Sequence, residues 1–354
     1  MADFVRLTSA STGRRRIAVG NIRKLFDDRR AKDIESVAEK SIVKVHPIFH
    51  APFHYYLAPF ALSSKLWQTR IDTPATLTTP DSPAPNVTPV FGLACALNRA
   101  YRPIRTSNWL FGKAINRIHA AMIEATGGPE VSKARRQGEL MFSVGAAQVL
   151  SPAASDVPVL LRELTAALRH GQSTLPLTHR LYAAFEISLI HPFVDGNGRL
   201  MRAVAASHDR TACRTGALCR AIAVFLQGRQ KLWNFTLPLA LRGDAVALWD
   251  HFARCVYASS RLLHSVDDAA QRYQLRWGVG RSDIRSSADA LLIASAVLSD
   301  RQFSRLRQGS SSHIRRTAEQ LFQPVLLNDK KFKWINSGAQ QFVGETAGFL
   351  IAQF

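Results

Sequence analysis

Residues 191–202 of this 354-residue chain have the sequence HPFVDGNGRLMR, which places a base, a carboxylate, an amide and two guanidinium groups close together. His191 is the base, because an imidazole titrates near neutrality and can take a proton from a hydroxyl group. Asp195 offers the carboxylate oxygens that Mg²⁺ prefers. Arg199 and Arg202 lie three positions apart, so on a helix they would share one face and both could bind phosphate oxygens. The segment therefore predicts chemistry on a phosphate-containing substrate.

Two glycines, Gly196 and Gly198, lie at the centre of this segment. Glycine reaches backbone conformations that a side chain would forbid, so successive N–H groups can converge on an anion. From Arg199 onward the pattern favours a helix, whose N-terminal end adds partial positive charge and unpaired N–H donors at the same place. A glycine pair before a helix is by itself an ordinary turn. The phosphate interpretation depends on all of these groups occurring together.

The segment resembles, at every specified position, the pattern H-x-F-x-D/E-G-N-G-R-x-x-R of the Fic (filamentation induced by cyclic AMP) family. The resemblance implies a loop between two helices that binds ATP and Mg²⁺, and transfer of AMP to a Ser, Thr or Tyr hydroxyl of a target protein with release of pyrophosphate. It implies that His191 is the general base, Asp195 the magnesium ligand and Phe193 the buried anchor of the loop. Relatives that phosphorylate their targets tend to carry Lys at position 198, so Gly198 favours AMP transfer.

The nucleotide-binding residues follow from the same resemblance. The backbone of Gly196, Asn197 and Gly198 is expected to surround the α- and β-phosphates. The side chains of Arg199 and Arg202 are expected to hold the β- and γ-phosphates.

The elements that must position this loop are predicted to be mainly helical. Residues 178–190 carry Leu181, Phe185 and Leu189 at helical spacing, as expected of the helix that leads into the loop. By resemblance, residues 115–123 form an early core helix, residues 138–150 a β-hairpin flap that docks the target, and residues 231–252 the closing helices. The predicted fold is thus a Fic-fold helical bundle with a short hairpin flap. Many relatives carry Arg at about the position of Met141.

A second, smaller unit is predicted after the bundle. Residues 286–298 and 312–322 favour helices, and residues 325–335 favour two short strands around a turn at Asn328 and Asp329. This order predicts a winged-helix-like α+β unit. In this respect the chain resembles several Fic-family chains that carry such a unit after the core. Its basic residues suit DNA contact or protein docking, and both alternatives stay open; they are Arg301, Arg305, Arg307, Arg315, Arg316, Lys330, Lys331 and Lys333.

Changes in composition divide the chain into three predicted regions. Residues 1–88 are basic and rich in aromatic side chains, and they end in a linker rich in Pro and Thr. Residues 89–265 form the Fic catalytic core, and residues 266–354 the winged-helix-like domain. A length of 354 residues agrees with two or three domains, at roughly 150 residues per domain.

The overall composition is that of a basic globular protein. The net charge of +20 suits polyanionic partners such as nucleic acid, an anionic membrane surface or an acidic protein. Basic surface residues that contact only solvent produce the same net charge without any such partner. No segment approaches the roughly 20 apolar residues of a membrane span, and no apolar signal core is found. We therefore expect a cytoplasmic protein, or a bacterial effector exported by a specialised secretion system. The four cysteines lack metal-binding spacing and are expected to be reduced.

Regulation is the point at which the chain departs from many relatives, which are silenced by a helix of pattern S/T-x-x-x-E-G/N. The nearest approach runs from Thr126 to Glu130 but continues with Val131, so the pattern is incomplete. Two forms of control therefore stay open: a separate inhibitory, antitoxin-like chain as a partner, or control by another means. Three alternatives to AMP transfer stay open: removal of AMP from a modified protein, transfer of another nucleotide, and DNA-binding regulation by a chain with a vestigial core.

Overall fold

The computed structural model describes residues 4–9, 13–18, 27–41, 113–125, 135–138, 140–144, 147–168, 176–206, 213–277, 297–309, 312–326 and 332–336. Several predicted features lie outside these ranges: the Pro- and Thr-rich linker, the incomplete inhibitory pattern from Thr126, and the turn at Asn328 and Asp329. The chain divides into two units, and within the described residues the boundary falls between Ser260 and Arg261. Among the helices of the described ranges, none is long and apolar enough to cross a membrane.

The first unit is mainly helical, with one small antiparallel sheet, as the sequence predicts. In chain order its elements are β1 (Phe4–Ser9), β2 (Gly13–Ala18), α1 (Asp28–Ser41), α2 (Lys113–Ala125), β3 (Met141–Val144), β4 (Ala147–Leu150), α3 (Val157–Leu168), α4 (Leu177–Ile190), α5 (Asn197–Ala205), α6 (Cys213–Gly228), α7 (Gln230–Leu241) and α8 (Ala245–Trp277), the last of which continues past Ser260.

Helix α4 is the buried helix of this unit. Every one of its residues except His179 is buried, so apolar contacts surround it rather than covering a single face. Each large apolar side chain removed from water in this way contributes roughly 1.5–3 kcal/mol. The first turn of α4 is capped from another helix: Glu35 of α1 accepts hydrogen bonds from the Thr178 N–H (2.6 Å) and hydroxyl (2.7 Å). Helix α4 thereby presents its C-terminal end, and the predicted catalytic loop, at a defined place.

The predicted flap hairpin is present as the antiparallel pair β3 and β4, in which Met141 pairs with Leu150 and Val144 with Ala147. Two further strands that the sequence did not predict extend it, giving the strand order β2-β1-β4-β3. Strand β1 joins the hairpin by pairing Leu7 with Val149. The β4 partner of β1 lies far away in the sequence, so local patterns carry little signal for this pairing. Strand β3 lies at one edge of the sheet.

The second unit contains β5 (Val297–Ser299), α9 (Asp300–Gly309), α10 (Ser312–Leu321), β6 (Phe322–Leu326) and β7 (Phe332–Asn336), with antiparallel strand order β5-β7-β6. The helix expected at 312–322 and the two strands expected at 325–335 match α10, β6 and β7 to within a few residues. The helix predicted at 286–298 is wrong at its last two residues. These belong to β5, because Val297 and Leu298 pair with Ile335 and Trp334. The remainder of that prediction lies outside the described residues.

An aromatic cluster packs α9 against the sheet among the described residues of the second unit. The ring of Phe303 stacks on Trp334 at 3.7 Å and lies 5.7 Å from Phe322. The indole N–H of Trp334 donates a hydrogen bond of 2.7 Å to Asp300 at the start of α9. These contacts join α9 to the sheet through both apolar burial and one directed polar contact.

Candidate functional site

Helix α4 ends at His191, whose backbone adopts the left-handed conformation (φ 50°, ψ 60°). Among the described residues other than glycine, His191 alone has a positive φ. This conformation costs an ordinary residue roughly 1–2 kcal/mol, so the surroundings must hold it. The His191 N–H donates to Ile187 at 3.0 Å, and the ring of Phe142 from β3 stacks on the imidazole at 4.3 Å. The predicted base is thereby held between the end of α4 and the flap.

The imidazole of His191 is neutral at physiological pH. Burial lowers its pKa to about 4; the charge of Arg136 adds to this lowering, while the Ser188 carbonyl and Asp195 oppose it. Nδ1 lies 3.3 Å from that Ser188 carbonyl oxygen. A tautomer that donates from Nδ1 to this oxygen leaves Nε2 as the proton acceptor. The arrangement suits a general base.

The loop after His191 is fastened through Phe193, which is completely buried. The Asn197 side chain accepts a hydrogen bond from the Phe193 N–H (3.0 Å) and donates one to its carbonyl (2.8 Å). The imidazole of His119 stacks on the Phe193 ring at 3.6 Å, and the guanidinium of Arg135 lies 4.6 Å from the ring centroid. The Asn197 side chain therefore holds the loop together, a role distinct from the phosphate contact expected of its backbone.

Gly196 begins α5 in the left-handed conformation with φ 79°. A Cβ atom at this position would lie 2.8 Å from His119 Nε2 and 2.8 Å from Ile123 Cδ1, both on α2, so only glycine fits without displacement. His119 Nε2 lies 2.7 Å from the Asp195 carbonyl oxygen, and burial lowers the His119 pKa to about 4. The neutral ring therefore donates this hydrogen bond and supports the backbone beside the predicted metal ligand.

Charged side chains converge at the start of α5. Asp195 is exposed, and its carboxylate accepts a hydrogen bond from the Gly196 N–H and one of 2.8 Å from Arg199. Arg202 is buried, and burial together with the nearby Arg199 charge lowers its pKa to about 9. Two neighbouring guanidinium groups beside the N-terminal end of a helix are suited to an anion, because a bound anion would relieve their mutual repulsion.

The structure brings all the sequence-predicted site residues together on one loop and the helix that follows: His191, Phe193, Asp195, Gly196, Asn197, Gly198, Arg199 and Arg202. Sequence reasoning missed two supporting side chains, His119 and Arg136. His119 lies in the early core helix that the resemblance predicts at residues 115–123. Its placement on a predicted helix gave no indication of contact with the loop, and Arg136 precedes the hairpin without any distinguishing pattern.

A metal ion at Asp195 would depend on ligands from a bound substrate. Within the described ranges, no group of three or more His, Cys, Asp or Glu side chains is placed to hold a metal ion. A single exposed carboxylate beside an anion-binding helix end instead suits Mg²⁺, which usually binds through one or two carboxylates together with substrate phosphates and water.

We expect three histidines of this unit to make the fold sensitive to mild acid. Burial lowers the pKa values of His119, His191 and His251 to about 4 each. The unfolded chain, with histidine pKa values near 6.5, binds more protons between about pH 4 and 6.5, so the free energy of unfolding falls as pH falls through this window. Thermal unfolding followed by circular dichroism should give a lower Tm at pH 5 than at pH 7.

The variant His251→Gln serves as the control for this effect. Gln can retain a contact with the Thr236 hydroxyl, which lies 3.4 Å from His251 Nδ1, but it does not titrate. Its Tm should fall less between pH 7 and pH 5 than that of the wild type. A wild-type Tm that is constant over this interval would contradict the neutral-histidine assignment.

The sequence that contains the site matches a known protein family. A family model described as the Fic/DOC family matches residues 109–208, which include α2, the flap hairpin and the whole catalytic loop. No curated protein matches the chain.

Solved structures of Fic proteins resemble the chain at low identity. A Fic family protein from Desulfovibrio desulfuricans G20 is 17% identical with a TM-score of 0.42, over 90% of this chain and 96% of that one. Fic-1 from C. elegans is 15% identical with a TM-score of 0.43, over 72% and 75%. A Fic domain containing signaling protein from Bacteroides thetaiotaomicron VPI-5482 is 12% identical with a TM-score of 0.40, over 68% and 94%.

Proposed function

The chain belongs to the Fic/DOC family through residues 109–208, and from this premise we propose that it is a protein adenylyltransferase that moves AMP from Mg-ATP to a Ser, Thr or Tyr hydroxyl of a target protein. Members of this family generally transfer AMP or other nucleotide-derived groups to proteins. One observation carries the proposal: a neutral His191 at the end of α4 lies six positions before the first residue of α5, the helix that bears Arg199 and Arg202.

In the proposed reaction, Nε2 of His191 takes the proton of the target hydroxyl. The hydroxyl oxygen attacks the α-phosphorus of ATP, and the bond from that phosphorus to the oxygen bridging to the β-phosphate breaks. AMP is then joined to the target, and pyrophosphate leaves with the electron pair of the broken bond. Arg199 and Arg202 hold the β- and γ-phosphates, so Arg199 exchanges its contact with Asp195 for a phosphate oxygen.

The remaining residues of the loop bind the nucleotide. N–H groups in the first turn of a helix have no partner within that helix, so the backbone from Gly196 to Gly198 is suited to phosphate oxygens. Asp195 would hold Mg²⁺ together with those phosphates, and the ion supplies charge neutralisation at the phosphate oxygens when bound. The fully buried Phe193 and the Asn197 side chain keep this backbone in place.

Transfer from two differently labelled ATP samples tests the reaction directly. The full chain is incubated with Mg²⁺, a bacterial or host lysate, and ATP carrying the label on either the α- or the γ-phosphate. AMP transfer labels proteins from α-labelled ATP only, whereas phosphorylation labels them from γ-labelled ATP only. The absence of protein labelled from the α-phosphate above the background would overturn the proposal.

The rate of transfer should be independent of pH between about pH 5 and pH 8. Because the His191 pKa is lowered to about 4, the base is already deprotonated at pH 5 and remains so at pH 8. Single-turnover rates at saturating ATP and Mg²⁺, measured well below the unfolding temperature, are expected to agree across this range. A rate that halves near pH 6.5, the ordinary pKa of histidine, would contradict the proposed state of the base.

Further experiments distinguish AMP transfer from the alternative reactions and test how the reaction is controlled. Mass spectrometry of a labelled protein distinguishes AMP from another transferred nucleotide by the mass of the adduct. Incubation with a protein already carrying AMP tests removal of the group. A separate inhibitory chain is proposed as the means of control, and it predicts that co-expression with such a chain suppresses labelling.

We also propose that the second unit is a winged-helix-like domain that contacts DNA. Two helices followed by a β-hairpin support this assignment, and α9 and α10 expose Arg307, Arg315 and Arg316. Gel-shift binding that depends on the DNA sequence and survives moderate salt is expected. Binding that disappears with salt would reflect charge alone and would overturn specific recognition.

A further inference from the structure

We propose that Arg136 is a positioning residue for the transfer reaction, joining the flap hairpin to the catalytic loop so that His191 is held in its reactive place. This inference rests on the proposed function. Arg136 lies just before β3 and outside the segment that resembles the family pattern, and its side chain is only 6% exposed.

The guanidinium of Arg136 donates hydrogen bonds to four backbone carbonyls in three separate segments. At the end of α4, Nε donates to His191 (2.7 Å) and Nη2 to Ile190 (3.2 Å). At the two ends of the hairpin, Nη1 donates to the carbonyl of Gly138 before β3 (2.6 Å) and Nη2 to the carbonyl of Pro152 after β4. The Arg136 N–H adds a contact of 3.4 Å to the Pro192 carbonyl. One side chain thus bridges both ends of the hairpin to the residues that surround the base.

Physical reasons favour arginine in this place. The last carbonyls of a helix have no partner within it, and a buried positive charge is tolerated only with several acceptors. The planar guanidinium offers five N–H donors in a rigid fork, so it can serve acceptors in different segments at once, which an ammonium group cannot do equally well. The buried charge and the unpaired carbonyls therefore satisfy each other.

The consequence for His191 follows from where these bonds lie. Nε binds the carbonyl of the residue whose left-handed backbone must be held against its own cost. The hairpin at the other side of the guanidinium carries Phe142, which stacks on the imidazole. Arg136 therefore links the two supports of the ring, its backbone and its stacking partner. None of the four carbonyls belongs to residues 195–202, so the effect should fall on the chemical step rather than on nucleotide binding.

The variant Arg136→Gln in the full chain tests this role. Since a displacement of about 1 Å in a reacting group can lower a rate about 100-fold, we expect kcat per bound ATP to fall about 10- to 100-fold while the Kd for ATP changes less than about threefold. Arg136→Lys keeps the charge and one donor group, so it should recover part of the loss. Arg162→Gln is the matched control, because it removes the same charge from an exposed side chain on α3 and should leave kcat unchanged.

Hydrogen exchange gives a second measurement that needs no activity. Amides of residues 191–196 and 140–144 should exchange faster in Arg136→Gln than in the wild type and in Arg162→Gln. This difference is measurable even if no label is transferred, so failure of the proposed function and failure of the inference are distinguishable. Unchanged exchange and kcat in Arg136→Gln, or equal loss of kcat and ATP affinity, would overturn the positioning role. If Arg136→Gln does not fold, the same criteria apply to Arg136→Lys.

Discussion

Replacing His191 with alanine is expected to lower AMP transfer by roughly 10²- to 10⁴-fold, the contribution typical of a general base, while ATP still binds. The imidazole stacks on Phe142, and the proposed phosphate contacts come from residues 196–202, so removing the ring removes the proton acceptor and leaves the nucleotide site. Label transfer from α-labelled ATP and calorimetric titration with ATP measure the two quantities separately.

The variant His191→Asn is the stricter form of this test. Alanine is less suited than histidine to a left-handed backbone, so part of its effect could arise from a displaced loop. Asparagine readily adopts this conformation but has no basic group near neutral pH. We expect it to be nearly as inactive as His191→Ala. Retention of more than about a tenth of the wild-type rate would exclude His191 as the base, because such a rate lies above the range for loss of a general base.

Replacing Phe193 with alanine is expected to destabilise the first unit by about 3–5 kcal/mol, the usual cost of truncating a fully buried aromatic ring. The ring is completely buried against His119 and Arg135, so its loss leaves a cavity under the catalytic loop. Because Asn197 binds the backbone of the same residue, the phosphate-binding turn should loosen as well, and activity should fall with stability. Denaturant unfolding followed by circular dichroism measures the change.

The matched variant for this prediction is Phe235→Ala. Phe235 lies on α7 and is 67% exposed, so the same truncation there should change the free energy of unfolding by less than about 0.5 kcal/mol. Equal losses in Phe193→Ala and Phe235→Ala would contradict the anchoring role of Phe193.

Local sequence patterns predicted the elements whose signals are short in range. The apolar spacing of residues 178–190 predicted α4, and the family resemblance predicted α2 and the hairpin. The first unit is helical with this strand pair, as expected. Strands β1 and β2 were not foreseen, and the helix expected at 286–298 gave way to β5 at its end. Strand β1 pairs with β4 and strand β5 pairs with β7, and both partner strands are distant in sequence, so pairing of this kind overrides local preference.

The sequence by itself determined which chemical groups this site contains, because residues 191–202 carry the base, the carboxylate, the glycines and the arginines in one continuous segment. Tertiary structure decided the state and position of those groups. His119 reaches the Asp195 carbonyl across 76 positions, and Arg136 reaches the His191 carbonyl across 55. Burial, which no short segment specifies, lowers the pKa of His191 to about 4 and so keeps its imidazole in the neutral form that can accept a proton. The chemical type of each group is set by the identity of its own residue. Desolvation, and hydrogen bonds between residues distant in sequence, exist only once the chain has folded.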